Sequence, residues 1–300
     1  MRVLVAGASG FIGTALCTAL IKDGHEVLGL HRSNFKKFPQ KKERFNWVIY
    51  KFGDSLPNEV IRFAPEIIIN LVWKGIPNFS YQICIENLKD QLAFIEETKK
   101  LTSVKKFISA GTCKEYSASH GPCLEADRLA PDNYFSWTKQ TLANYLRLSC
   151  EERSIKWIWL RIFYVYGPGQ RPESLIPTII KAIKCGEIPS IKNPQAVNDF
   201  IYIDDVVNAF QLAVENREMQ GVFNVGSGKL SSVGQIKEIV NKIMMNDEGW
   251  LGPQSINSDE VNSVCGIWAN TDKIEKYLKW QAKFSLREGL IETCNKTKLR

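Results

Sequence analysis

The sequence predicts an α/β protein built on a doubly wound parallel sheet, with a smaller α/β lobe. Three features point there. The chain opens on an apolar strand, Arg2-Val3-Leu4-Val5-Ala6, followed at once by Gly7-Ala8-Ser9-Gly10-Phe11-Ile12-Gly13 and an apolar helical run. Strand-like apolar runs then alternate with helical stretches through the first half, the pattern of a parallel sheet with helices on both faces. From Gly167 onward the alternation breaks into loops and short pieces, marked by Gly167-Pro168-Gly169, Pro189 and Pro194.

In order, strands are expected over 2–6, 26–30, 46–50, 66–72, 104–109 and 156–162, with helices over 11–23, 57–63, 83–100 and 134–153. Asp132 or Asn133 is placed to cap the helix beginning near Tyr134, just after Pro131. Beyond these, a helix is expected near 174–185, a strand and helix over 199–215 and a strand over 221–225. Two helical pieces follow, over 233–245 and 285–296. No internal repeat or low-complexity segment occurs. Residues 1–166 therefore read as a Rossmann-like dinucleotide-binding domain to which 199–225 return, and 167–198 with 226–300 as a substrate-binding lobe.

Three hundred residues are ample for a core in one large domain or two unequal ones. The first strand lies almost at Met1, so no signal or transit peptide is expected, and no apolar run approaches a membrane span. The eight cysteines (17, 84, 113, 123, 150, 185, 265 and 294) form no C-x-x-C pair, and the three histidines (25, 31 and 120) give no ligand spacing. No metal and no disulfide frame are expected; a cytoplasmic protein with reduced thiols is. The net charge of +7 is spread along the chain, with modest clusters at Lys36-Lys37 and Lys41-Lys42. That lacks the concentrated basic or aromatic platform of a nucleic-acid binder. An anionic small ligand accounts for it equally well.

The glycine turn carries the first chemistry. Gly7 allows the tight turn, Gly10 lets the backbone approach phosphates, and Gly13 lets the helix pack close to the strand. A pyrophosphate then faces the helix N-terminus, with Ser9, Phe11 and Ile12 beside it. An NAD site usually places an acid at the end of the second strand to accept from the ribose 2′-OH. This chain reads Val27-Leu28-Gly29-Leu30-His31-Arg32-Ser33, with no acid there. Arg32 offers a planar donor fork for a 2′-phosphate and Ser33 adds a hydroxyl, so NADP is the expected cofactor. Asp54, in Phe52-Gly53-Asp54, is placed to accept from an adenine amino group.

Further along stand Thr112 ahead of Glu115-Tyr116, Lys139, and Arg161-Ile162-Phe163-Tyr164-Val165-Tyr166-Gly167-Pro168. Asp199-Phe200-Ile201-Tyr202-Ile203-Asp204-Asp205 and Phe223-Asn224-Val225-Gly226 follow. With the glycine turn and Asp54, they resemble the extended short-chain dehydrogenase/reductase family over nearly the whole chain, in its nucleotide-sugar epimerase/dehydratase/reductase branch. The resemblance implies a Ser/Thr, a Tyr and a Lys four residues after the Tyr, the last two sharing one helical face. The lysine holds the nicotinamide ribose and lowers the phenol's pKa, and the phenol exchanges a proton with a sugar hydroxyl or ketone. Thr112 and Lys139 match this set, and Leu71, Val72, Tyr164 and Val165 are implied cofactor contacts.

Four residues before Lys139, however, stands Phe135, which has no proton to give. Tyr134 is turned ~100° around the helix, away from the shared face, unless a register shift or bulge recruits it. Either the chain is a Tyr-to-Phe variant that holds substrate without turning it over, or another acid serves. The intact surroundings favour the first, and the chain is expected to be impaired by ~10²–10⁴ in rate.

The resemblance also narrows the reaction. Dehydratases of the branch carry an Asp-Glu pair directly after the Thr, where this chain has Cys113 and Lys114. Related 3,5-epimerase/reductases place their cysteine one position later, so Cys113 reads first as a packing residue. The segment Leu71 to Pro77 departs from the family's small-residue loop, and Trp73 and Lys74 are candidates to line the sugar pocket. Tyr164 replaces a common Asn, and Asn198 replaces a common Arg that grips the diphosphate; Arg171 or Lys114 is the substitute. The expected protein is an NADPH-dependent 4-ketoreductase acting on a nucleotide-diphosphate 4-keto-6-deoxyhexose in deoxysugar biosynthesis. A nucleotide-sugar C4 epimerase using NAD and a non-catalytic NADP(H) sensor remain alternatives. A homodimer is implied too, through the helices near 83–100 and 134–153, with Leu88, Leu92, Ile95, Leu142, Tyr145, Leu146 and Leu148.

Overall fold

Strands run where β-branched and aliphatic residues cluster. In the computed structural model, which describes residues 1–32, 43–116, 120–245 and 266–298, Val3 to Ala6 and Ile67 to Ile69 are fully buried or nearly so. The elements of the first half are β1 (Arg2–Ala6), α1 (Phe11–Lys22), β2 (Glu26–His31), β3 (Phe45–Ile49), α2 (Asn58–Phe63), β4 (Ile67–Asn70) and α3 (Tyr81–Thr98). Next come β5 (Lys106–Thr112), β6 (Gly121–Cys123), α4 (Tyr134–Glu151), β7 (Lys156–Ile162) and β8 (Tyr164–Tyr166). Then follow α5 (Leu175–Lys184), β9 (Val197–Asn198), β10 (Phe200–Tyr202), α6 (Ile203–Glu215) and β11 (Gly221–Val225). The chain finishes with β12 (Ser231–Ser232), α7 (Val233–Met244), β13 (Ile267–Ala269), α8 (Asp272–Leu278) and α9 (Leu286–Lys298).

Seven strands form one sheet in the order β11-β7-β5-β4-β1-β2-β3. β1 pairs parallel with both β2 and β4, and the parallel pairing continues to β3 and β5. Building outward on both sides of β1 is the doubly wound arrangement, with the first βα turn at its centre. The sequence reading of an α/β parallel sheet therefore holds. Its boundaries shift where side chains take over the ladder. β4 ends at Asn70 rather than at 72, because Val72 N–H donates to Asn70 Oδ1 (3.2 Å) and Gln91 Nε2 to the Val72 carbonyl (2.6 Å). β5 runs to Thr112, three residues beyond the expected end. The short strands β6, β8, β9, β12 and β13 and helix α8 were not foreseen; two or three residues carry no readable period.

Contacts divide the chain into two compact units. The first comprises Met1–Ser117, Arg128–Arg161 and Val207–Phe223. Its core joins Leu4, Leu28, Ile68, Phe94, Phe107, Leu142, Leu146 and Trp159. The second comprises Ala118–Asp127, Ile162–Val206 and Asn224–Arg300. There β8 pairs parallel with β10, β6 parallel with β13 and β9 antiparallel with β12. Two buried acids organise it. Asp199 accepts from Ser227 N and Oγ, Gly228 N and Ala269 N, and Asp205 accepts from Lys283 N and Phe284 N. Among the described residues no helix is long and apolar enough to cross a membrane.

Gly13 is the tightest point of the first βα turn. A Cβ there would lie 2.1 Å from the Gly7 carbonyl oxygen and 2.8 Å from Ala8 Cα, both backbone atoms that cannot swing aside. Gly13→Ala is accordingly expected to lower stability by roughly 1–3 kcal/mol, the usual cost of overpacking, and to push α1 off the turn. Urea denaturation measures this; an unchanged midpoint would show that the turn has slack.

Candidate functional site

The carboxyl end of β1 gathers most of the predicted cofactor residues. Gly7 sits at φ +82°, a left-handed conformation that favours glycine, and its carbonyl accepts Gly10 N–H at 3.0 Å. Gly10 caps α1 with no side-chain hydrogen bond, and the first turn of the helix carries no acid. An uncapped helix N-terminus reached by a turn without side-chain bulk fits a dinucleotide pyrophosphate. Leu71 and Val72 close over the turn, so that a Cβ on Gly7 would meet them at 3.1–3.2 Å. Ser9, Phe11 and Ile12 are half-buried around it. Arg32 is exposed at the exit of β2, after His31, whose ring stands edge-on to Trp47 at 5.1 Å. Ser33 lies outside the described residues. Asp54 is exposed in a turn whose carbonyl accepts Tyr50 Oη at 3.0 Å.

At the end of β5, Thr112 initiates a short 3₁₀ turn over Cys113–Glu115. Its Oγ1 accepts Lys114 N–H at 3.2 Å while its own N–H donates to Glu115 Oε1 at 2.9 Å. Thr112 is half-buried, Cys113 buried and Lys114 exposed. Glu115 is wholly buried and forms an ion pair with Arg161 at 2.9 Å. Burial works against the Arg161 charge, but Glu115 and Tyr116 outweigh it and hold the guanidinium above its ordinary range. This pair was missed. The signal available was a charged residue at 161 inside the apolar run of β7, with a second at 115.

Asn133 caps α4, its Oδ1 accepting Ser136 N–H at 3.0 Å, and this sets the rotation of the next turn. Phe135 turns inward, only 7 % exposed, with its ring centroid 4.8 Å from Trp73 and 4.4 Å from Phe79. Tyr134 turns outward, 53 % exposed, edge-on to Tyr81 at 5.4 Å. Lys139 lies one turn beyond Phe135 and is buried. Its Nζ donates to the Ala110 carbonyl at 2.9 Å and stands 4.9 Å from the Trp73 ring and 5.7 Å from the Trp159 ring. Burial pulls its pKa down to about 8, with the charge of Glu115 opposing. Phe135, Trp73 and Lys139 thus meet in one cluster. The Trp73 indole N–H is buried there without a hydrogen-bond partner. Lys74 directs its ammonium to α3 instead, at 2.8 Å from Asp90 and 3.2 Å from Glu86.

The remaining candidates belong to the second unit. Tyr164 and Val165 pair with Phe200 and Ile201 in the β8–β10 ladder, and Tyr164 N–H donates to the Asp199 carbonyl at 3.0 Å. Arg171 is exposed at a turn that its carbonyl closes with Ser174 N–H (3.0 Å). Asn198 is half-buried in β9, opposite Ser231.

Residues 3–226 match the NAD dependent epimerase/dehydratase family. A dTDP-4-dehydro-6-deoxyglucose reductase of Escherichia coli is 27% identical over 304 residues, covering 96% of this chain and 95% of that protein. The structure of a UDP-glucose 4-epimerase from Thermotoga maritima, solved with UDP-glucose, superposes with a TM-score of 0.84 at 25% identity, covering 100% of this chain and 99% of that one. A dTDP-glucose 4,6-dehydratase from Bacillus anthracis, solved with NAD, shares the fold with a TM-score of 0.84 at 18% identity, covering 100% of this chain and 97% of that one.

Proposed function

The chain belongs to the NAD dependent epimerase/dehydratase family, the nucleotide-sugar branch of the extended short-chain dehydrogenase/reductases, and we propose that it is an NADPH-dependent 4-ketoreductase. Its substrate on this reading is a nucleotide-diphosphate 4-keto-6-deoxyhexose, reduced in the course of deoxysugar biosynthesis. The observation that carries the reading is Arg32, exposed where β2 ends, in place of an acid. A cation there favours the 2′-phosphorylated cofactor, and a cofactor drawn from the reducing pool suits net reduction better than internal hydride recycling. Cys113 and Lys114 after Thr112 supply no carboxyl pair for dehydration. The reductase of E. coli, similar from end to end, supports the same choice. The epimerase from T. maritima supports the second reading, a C4 epimerase that would purify with bound NAD.

On the first reading, the Gly7 to Gly13 turn receives the pyrophosphate, Arg32 the 2′-phosphate and Asp54 the adenine amino group. NADPH bound there supplies the hydride. Thr112 presents its hydroxyl to the ketone oxygen, and Lys139 presents a cation near the nicotinamide ribose. Phe135 stands where the family's proton donor is expected and brings only a ring, packed dry between Trp73 and Phe79. The chain as written therefore binds better than it turns over. Free thiols, all but one of them buried among the described residues, and a nucleotide-sugar substrate suit a cytoplasmic protein. A homodimer through α3 and α4 is part of the proposal. Ile95, Leu142 and Leu146 are buried within the subunit, which leaves exposed Tyr81, Tyr134, Trp137 and Leu148 as the apolar contact surface.

Three outcomes test this. NADPH should bind at least about tenfold tighter than NADH, ~1.4 kcal/mol, and Arg32→Asp should erase or reverse the ordering; equal affinities in the unaltered chain would sink the cofactor assignment. Sedimentation at micromolar concentration should show a dimer that Trp137→Glu weakens, and a monomer in the unaltered chain would count against the interface. Phe135→Tyr should raise reduction of nucleotide-linked 4-keto-6-deoxyhexoses by ~10²–10⁴ with NADPH affinity nearly unchanged, because the new phenol meets the ketone only as charge develops. Tyr134→Phe is the control and should be silent. If it abolishes turnover while Phe135→Tyr adds nothing, Tyr134 is the acid; if neither matters and no nucleotide sugar binds, a sensor replaces the reductase.

A further inference from the structure

Glu115 is the most deeply buried charge near Thr112 and Lys139, at 0 % exposure, and the family chemistry gives it no part. Its Oε1 accepts Thr112 N–H at 2.9 Å and Trp159 Nε1–H at 2.9 Å. Its Oε2 accepts Arg161 Nε–H at 2.9 Å, and its backbone carbonyl accepts Gln140 Nε2–H at 2.8 Å. Each of these partners leads to the cluster above. Thr112 is itself a site residue; the ring of Trp159 lies beneath the Lys139 ammonium, and Gln140 follows Lys139 on α4. The packing leaves no slack between them. A Cβ on Gly111, between the Ala110 carbonyl that holds Lys139 and Thr112, would lie 2.2 Å from Trp159 Nε1 and 2.7 Å from Glu115 Oε1.

We propose that Glu115 is a positioning residue for this site, its carboxylate fixing the Thr112 backbone and, through Trp159, the Lys139 ammonium without touching the reacting sugar. The role rests on the reading that Thr112 and Lys139 face the reacting centre. A buried carboxylate is costly, and the same shape filled with apolar atoms is often no less stable. What an apolar residue does not do is accept from three directions at once. It would leave the Thr112 N–H, at the tip of β5, without an acceptor at a half-buried position. Arg161 supplies the compensating charge, and Tyr116 takes up more of the guanidinium through its hydroxyl at 3.0 Å and its ring at 4.7 Å. The negative charge of Glu115 also favours the protonated form of Lys139 against its burial.

The test uses the unaltered chain, Glu115→Leu, and Glu115→Leu combined with Arg161→Met, which removes the cation left without its counter-charge. Leucine keeps much of the shape but accepts from neither Thr112 nor Trp159 and carries no charge. Lysine-selective carbon-13 labelling and NMR follow the titration of Lys139, and fluorescence gives the NADPH dissociation constant. In both variants Lys139 should titrate at lower pH than in the unaltered chain, and NADPH should bind about tenfold more weakly, the size of one charged hydrogen bond. A folded double variant with the Lys139 titration and NADPH affinity of the unaltered chain would overturn the proposal. Loss of folding in both variants would overturn it too, making Glu115 part of the scaffold. Neither readout needs turnover, so a chain that reduces no ketone would sink the reductase and leave the Lys139 result standing.

Discussion

The approach of Gly13 to the Gly7 carbonyl is the contact from which the first unit is built. With no Cβ between them, α1 lies directly on the end of β1, and its N-terminus is aimed at the space above the sheet. That space is at the carboxyl end of β1, where the order of the sheet reverses between β1 and β4, the place at which sheets of this kind leave a crevice between neighbouring βα turns. Because no side chain caps α1, the field of its peptide dipoles is not already spent on an internal acid. Leu71 and Val72, leaving β4 beside it, can close over Gly7 only because Gly7 also lacks a side chain. Missing atoms at two positions thus leave the helix end open.

Two departures from the family pattern, at 73 and 135, are in contact with one another. Trp73, in the segment that departs from the pattern the resemblance implies, and Phe135, at the position where that pattern expects tyrosine, put their rings 4.8 Å apart, nearly perpendicular. Edge-to-face packing of this kind contributes about 0.5–1.5 kcal/mol beyond area burial. A phenol hydroxyl at 135 would instead need a polar partner, and the buried Trp73 indole N–H of this cluster has none at present. The same indole offers its face to Lys139. Trp73 thus meets the Phe135 ring and the Lys139 ammonium at once, so the two side chains of this turn of α4 share one indole.

Much of this was legible in the sequence, and the limits have physical reasons. The strand-turn-helix at Gly7 to Gly13 could be read because each glycine answers a different steric demand. The rotation of α4 could be read because Asn133 caps it and 3.6 residues per turn then fixes Phe135 inward and Tyr134 outward. Lys74 escaped prediction because its direction depends on Glu86 and Asp90, one turn apart on a helix whose packing no local pattern reveals. Three leucine-type positions expected at a dimer contact are core residues, since a helix packed on two sides shows the same apolar pattern whether its second neighbour is its own chain or another. The Glu115–Arg161 pair joins residues 46 apart and has no local signature beyond charge in an apolar run.

Lys139 shows how the fold carries a cost for the site. Its pKa in the folded chain is about 8 against an ordinary 10.5, so the folded protein holds this proton less tightly than the unfolded one. Between those values the unfolded state binds more protons, and stability rises with pH across that window. Below it the lysine is charged in both states, and the fold bears the full desolvation penalty. What keeps the ammonium there is local: the Ala110 carbonyl at 2.9 Å, the two indole faces, and the buried charge of Glu115. Each of these attractions comes from a different element, β5, the segment after β4, β7, and the turn that follows β5. A cation held from four sides cannot follow a mobile ligand. It is a fixed point against which a ligand must align, and electrostatic pre-organisation of that kind is worth most where water is excluded.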